Sequence, residues 1–159
     1  MDMDKTIKIL GFLLILGFVS CSEEITPKPF TFSKLFTGEN SKKWKVSFFE
    51  ETVDGEVADR FNVGCVSDDQ YIFYANPERR SECKSGASKC FNPSEPALIT
   101  DSWSYQSGTA TLTMLLPIFA DFPLPFIVRE INEDDMELEI FFGDGSGSYR
   151  IHFDATDED

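Results

Sequence analysis

The sequence predicts an all-β protein, a single antiparallel up-and-down barrel of about eight strands. Three observations carry this expectation. Between Trp103 and Phe153, short segments alternate apolar with polar or small residues. The apolar positions are Ala110, Leu112, Met114 and Leu116, then Met136, Leu138, Ile140 and Phe142, then Tyr149, Ile151 and Phe153 against Arg150, His152 and Asp154. A period of two buries one face of a strand and wets the other. The segments are joined by Gln106-Ser107-Gly108, Asn132-Glu133-Asp134-Asp135 and Gly143-Asp144-Gly145-Ser146-Gly147. Such residues tolerate positive φ or form Asx turns, as hairpins require. Finally, no helix of convincing length is evident after residue 40, and closing the meander removes the edges an open sheet would expose.

Ahead of this meander, Trp44 to Glu51 sets Trp44, Val46 and Phe48 against Lys45 and Ser47 and reads as the first strand, turning at Asp54-Gly55. Val57 to Gly64 is ambiguous between a weak strand and an irregular crossing. Gln70 to Ala75 is a clear strand with Tyr71 and Phe73 on one face, ending at Asn76-Pro77. Arg79 to Lys84 reads as a polar strand suited to an edge. Ser85 to Pro96, rich in Gly, Ser, Asn and Pro, reads as a long loop. Ala97 to Tyr105 resumes as strand, with Trp103 and Tyr105 sharing a face. Trp44, Phe48, Tyr71, Phe73, Trp103, Met114, Val128 and Ile140 are expected to face inward. An eight-stranded interior is either filled by side chains or able to hold one small ligand. With this lining, a ligand would be apolar.

Leu116 to Phe126 interrupts the alternation. Pro117, Pro123 and Pro125 argue against a central strand, so the stretch reads as a loop or kinked edge. It nevertheless carries Ile118, Phe119, Phe122 and Leu124. Either it folds back to plug one barrel end, the favoured reading, or it presents an apolar patch to a ligand or partner. Ile118, Phe119 and Phe122 are the mouth candidates.

The chain has 159 residues, 42% of them hydrophobic, enough for one domain with a real core. A formal charge of −14 argues against nucleic-acid binding and against electrostatic docking on anionic lipid. The single histidine, His152, falls on an outward strand face, and no nucleophile elbow, phosphate loop or His-pair motif occurs. Asp68-Asp69 reads as a turn in which the carboxylates cap backbone N–H groups. Asp134-Asp135 and Asp144 lack the alternating oxygen ligands of a calcium loop. Cys65, Cys83 and Cys90 lack the paired short spacings of a zinc site. The expectation is a protein that is not an enzyme, with no catalytic residue, cofactor or metal.

At the N-terminus, Lys5 and Lys8 precede an apolar run, Ile9 to Val19, too short to span a membrane and suited to a secretory signal. Phe18-Val19-Ser20-Cys21 resembles a bacterial lipoprotein signal, with Phe18 where that pattern usually has Leu. The resemblance implies cleavage before Cys21 and acylation of Cys21 by three chains, more than the two signals stable anchoring needs. Ser22-Glu23-Glu24 resembles the acidic run that accompanies surface export in bacteroidete lipoproteins. It favours the cell surface over the periplasmic face of the outer membrane. The expected layout is a signal peptide over 1–20, a tether over 21–40 and the barrel over 41–155. Phe30, Phe32, Leu35 and Phe36 of the tether are suited to pack outside the barrel or close its end.

Three landmarks in order resemble the lipocalin-like domain family of bacteroidete lipoproteins. They are Ser41-Lys42-Lys43-Trp44-Lys45-Val46, then Cys65-Val66-Ser67-Asp68-Asp69-Gln70-Tyr71-Ile72-Phe73, then Cys90 after a Gly-containing loop with a following strand that carries Trp103. The resemblance covers about residues 41 to 155. This sequence departs from the family at Asn76-Pro77-Glu78, at Cys83 and in the longer apolar stretch from Leu116 to Phe126. The resemblance implies a small barrel, ligand binding without a named ligand, and a Cys65–Cys90 disulfide. Loop entropy favours that pairing over Cys83–Cys90 by only about 1 kcal/mol, which does not decide it. The function so implied is a lipid-anchored envelope lipoprotein whose barrel binds a small apolar ligand. The alternative is a filled barrel that serves as a structural or interaction protein.

Overall fold

The sheet runs β5-β4-β3-β1-β10-β9-β8-β7-β6, with β2 paired to β1 off this path. In chain order the elements are α1 (Pro29–Thr37), β1 (Ser41–Val53), β2 (Glu56–Phe61), β3 (Gln70–Tyr74), β4 (Arg80–Lys84), β5 (Leu98–Ser102), β6 (Ser104–Gln106), β7 (Thr111–Met114), β8 (Leu124–Ile131), β9 (Asp135–Phe141) and β10 (Gly147–Thr156). The computed structural model describes residues 29–90, 97–141 and 147–156. The signal, Cys21, Ser22-Glu23-Glu24 and Phe142 lie outside the described residues.

Every pairing is antiparallel, and the nine strands on the path make a nearly closed up-and-down barrel. β5 and β6, the two ends of the path, are separated only by Trp103. They are halves of one bent strand, β5 pairing with β4 and β6 with β7. Counted together they bring the closed ring to the expected eight. The bend is held by Trp103 itself, whose backbone N–H donates to Arg79 O at 2.8 Å. β4 is therefore no edge strand: it lies between β3 and β5, and Ser81, Glu82 and Cys83 are buried.

β1 corrects the expected inner face. Its register with β10 slips between Val46 and Phe48. This bulge moves the inward set from Trp44 and Val46 to Phe49, and Phe48 goes outside to stack on His152 with centroids 4.1 Å apart. Trp44, Tyr71, Phe73, Trp103, Met114 and Ile140 are buried in the core as expected, and Val128 packs on it half-buried.

Residues 29–37 are not part of a tether but a helix. Pro29 opens it, where a missing N–H costs nothing, and Gly38 ends it in the left-handed region (φ +62°), its N–H bonded to Lys34 O. Phe32 and Phe36 are buried, stacking on Tyr105 (3.6 Å) and packing on Phe73 (4.2 Å). The Trp44 indole Nε1 donates to Phe36 O at 2.9 Å. α1 thus stoppers one end of the barrel, the end where β1 begins.

Register fixes the opposite, distal end: the ends of β1, β4 and β9 and the starts of β2, β3, β5, β8 and β10 lie there. Leu116 and Val66 are fully buried at this end, and Phe119 reaches Phe49, Phe126 and Tyr149 at 6.1–6.3 Å. The 115–123 loop is therefore a plug, while Phe122 at its tip stands 59% exposed. The strand resumes earlier than the prolines suggest, since Leu124 to Phe126 pair with β7. Pairing with β9 begins only at Ile127, so Pro125 removes no ladder bond on that side.

The Cys65–Cys90 disulfide is present, and Cys83 is buried and not part of it. It ties the β2–β3 connection to the loop after β4 at the distal end. Asp68 and Asp69 add two clamps: Ser88 N–H donates to Asp68 Oδ2 (3.0 Å) and Gly86 N–H to Asp69 Oδ1 (2.7 Å). The pair does cap backbone N–H groups, but those of the neighbouring loop rather than its own turn. A Cβ on Gly86 would lie 2.2 Å from Asp68 Cγ, so a larger residue there would displace the Asp68 carboxylate that holds Ser88.

The two ends of the 115–123 plug should separate in a melting experiment. Phe119→Ala should cost about 2 kcal/mol, a fall of roughly 5–10 °C in Tm, whereas Phe122→Ala should leave Tm nearly unchanged. Equal melting temperatures for both variants would contradict the plug.

Candidate functional site

The barrel interior offers little room. Trp44, Tyr71, Phe73, Phe49, Phe126 and Phe153 are each at most 2% exposed and, with Phe36, fill the centre. Among the described residues, the cavity lined by Tyr71, Phe73, Ser81, Cys83 and Ile99 holds about 10 Å³, the space of one water. Of the expected ligand-lining residues, Trp44, Tyr71, Phe73, Trp103, Met114, Val128 and Ile140 come together, but against one another, and Phe48 lies outside.

The outer surface is organised differently at its two ends. All five exposed large hydrophobic residues among those described are Val53, Val57, Leu98, Phe122 and Phe141. Register places every one of them at the distal end, away from α1. Exposed acidic residues Asp54, Glu56 and Asp121 adjoin Val53, Val57 and Phe122 in sequence. The mouth candidates therefore divide: Phe119 faces in, Ile118 packs half-buried on the core, and Phe122 belongs to the rim.

Below the rim, the outer face of β2, β1, β10 and β9 carries a buried polar network. Cross-strand pairing aligns Arg60, Glu50, Arg150 and Glu139 in one row, and Val57, Thr52, Ser148 and Phe141 in the next. Glu50 is 4% exposed and accepts from Arg60 Nε at 2.9 Å, with His152 Nε2 at 3.4 Å. His152, half-buried on its outward face, also approaches Glu137 at 3.8 Å. Glu139, 3% exposed, accepts from Arg129 and from Ser148 Oγ, and Arg150 Nε lies 3.5 Å from it. Thr52 bonds to Ser148 in turn.

Burial pushes both carboxyls up, but in each case the partners outweigh it. The Arg60 hydrogen bond and the nearby His152 hold Glu50 below its ordinary value; Ser148, Arg129 and Arg150 do the same for Glu139.

Two grooves flank this network. One, of about 270 Å³, is lined by Phe48, His152, Met136, Glu137, Asp135 and Asp154 among others and is acidic. The other, of about 260 Å³, opens at the distal rim between the Asp54-Gly55 turn and Phe141, over Thr52, Ser148, Glu139, Arg129 and Arg150. Phe141 is exposed for a reason in the sequence. The β8–β9 register would set it opposite Pro125, where the ladder has already stopped. Among the described residues no three His, Cys, Asp or Glu side chains are grouped to hold a metal ion.

Sequence reasoning missed this outer site. Glu50, Glu139, Arg60, Arg129 and Arg150 look like ordinary solvated charges until the pairing register sets them opposite one another. The available signal is the i, i+2 charge pattern of Glu137-Leu138-Glu139 facing Arg150-Ile151-His152.

Fold and surface together define an all-β up-and-down barrel with a filled interior and a distal apolar rim. No protein-family model matches the chain, and it matches none of the curated proteins compared with it.

Depressed carboxyl values make stability depend on pH. The contribution of Glu139 is fully present above its unfolded value, near 4.5, and is lost as pH falls through the lower folded value. Glu139→Gln should therefore lose about 1–3 kcal/mol at pH 7, and the deficit should shrink in urea melts below pH 4. A deficit unchanged between pH 7 and pH 3 would contradict the ionic account.

Proposed function

We propose that this chain is a lipid-anchored envelope lipoprotein whose lipocalin-like barrel works through its outer surface, docking a protein partner at the distal rim. The observation that carries this reading is the contrast between a filled interior and exposed hydrophobic residues gathered at one end. An apolar-ligand carrier needs a cavity of several hundred Å³, whereas the inner cavity beside Tyr71 and Cys83 is about 10 Å³. Exposed apolar residues concentrated on one region mark an interaction site more than a solvated surface does. Their acidic neighbours favour a partner with an apolar, cationic face.

The anchor supports the same polarity. Acylation at Cys21 places the lipid eight residues before Pro29. Those residues reach at most roughly 28 Å when extended. The α1 end then sits nearest the outer membrane and the rim points away from it, on the cell surface by the acidic residues after Cys21.

Native mass spectrometry of the protein taken from its own membrane tests the filled barrel. The expected mass is the acylated chain with no stoichiometric small molecule; a co-purified apolar compound would return the barrel to the carrier reading. Cys21→Ser should lose the acyl mass and leave the membrane fraction. A photo-crosslinking residue at position 122 should trap an envelope protein that the same residue at 107, on the α1 side, does not.

A further inference from the structure

We infer that the groove between the Asp54-Gly55 turn and Phe141 is a binding site for a neutral, hydroxyl-rich ligand of monosaccharide size. Its lining excludes the other classes in turn. Arg129 and Arg150 are offset by Glu139 and Asp54, so the groove carries no formal net charge and favours neither an anion nor a cation. An apolar ligand would cover the exposed Asp54 carboxylate and the partly exposed Arg129 and Arg150 guanidinium groups without meeting their hydrogen-bonding capacity, and unmet buried polar groups are costly.

A sugar satisfies both halves of the site. Its hydroxyls donate to a carboxylate and accept from a guanidinium at once, and the groove supplies both within one row. Asp54, exposed on its turn, adds a second carboxylate acceptor. Arg150 contributes further donors: its side chain is 27% exposed, and it comes no nearer than 3.5 Å to a carboxylate oxygen, so the guanidinium is not held in a close ion pair. The Phe141 ring, 52% exposed at the groove wall, gives the C–H face of a pyranose a flat apolar surface. The volume of about 260 Å³ lies just below the range of sites for drug-sized molecules, which sets the ligand at one ring.

The site is also held in shape before any ligand arrives. Glu139 is fixed by Arg129 and Ser148, and Ser148 by Thr52, so the polar groups are already oriented. Preorganisation of this kind reduces the entropy lost on binding.

Saturation-transfer NMR tests the inference with the full acylated chain in a detergent free of sugar groups. The probes are methyl α-D-glucopyranoside, methyl α-D-mannopyranoside, methyl β-D-galactopyranoside and N-acetylglucosamine. At least one should bind saturably at millimolar concentration. Phe141→Ala should weaken it about tenfold, and Phe122→Ala, at another point of the same rim, should not change it. Phe141 is exposed, so its removal leaves the fold intact. Failure of all four probes to bind, binding indifferent to Phe141→Ala, or equal loss in Phe122→Ala would each overturn the site. None of these outcomes bears on whether the barrel interior is filled.

Discussion

The β1 bulge between Val46 and Phe48 decides what lies inside the barrel and what lies outside. Continued without a slip, the phase set by Trp44 and Val46 would carry Phe48, Glu50 and Thr52 inward. A carboxylate would then sit among Phe73, Phe126 and Phe153 with nothing to pair with, at a cost of several kcal/mol. A one-residue slip exchanges the faces. Phe49 enters the core against Phe61 and Phe119, and Glu50 and Thr52 turn outward to meet Arg60 and Ser148. Because β1 pairs with β10 along one edge and with β3 and then β2 along the other, the slip sets which face Glu50 and Thr52 present to Arg60 of β2 and Ser148 of β10.

That network is unusual in burying carboxylates on the outside of a barrel. Glu50 and Glu139 are covered by the very arginines that neutralise them, whose long stems lie across the sheet while their heads stay wet. The ion pairs are half-solvated on the arginine side, so they add little through attraction alone. Their larger effect is positional. Each arginine is tied to a carboxylate that cannot move without being left unpaired in a dry site, and the polar groups of the rim groove are thereby fixed in place.

The strands were legible in the sequence because period two survives wherever one face is buried, as in Leu112 and Met114 or Ile151 and Phe153. Four things were less so. A bulge leaves no local mark: Lys-Val-Ser-Phe-Phe reads as well without it. α1 carried its signals, Pro29 at the start, Gly38 past the end and Phe32, Leu35 and Phe36 at helical spacing, but nine residues among prolines resemble a tether when a barrel is expected to begin at Trp44. The prolines of Leu116 to Phe126 argue against a central strand and leave a loop or a kinked edge open, and Pro125 sits where β8 has only one neighbour and loses nothing by lacking an N–H. The outer site was the least legible part, because opposite charges on different strands become partners only through register, and register is a long-range property.

A barrel filled at its centre and stoppered by Phe36 at one end and Phe119 at the other is stiff, and its stiffness reaches the distal rim. The Cys65–Cys90 disulfide and the two aspartate clamps on Gly86 and Ser88 tie the connections there to each other. Without them, residues 85–90 would have to be ordered at each encounter, and every immobilised side chain would subtract about 0.5–1.5 kcal/mol from binding. With them, much of that ordering is completed during folding. The packing that buries Trp44, Tyr71, Phe73 and Phe126 at the centre thus extends to the outer end, and it is there that Phe122, Leu98, Val53 and Phe141 are left uncovered.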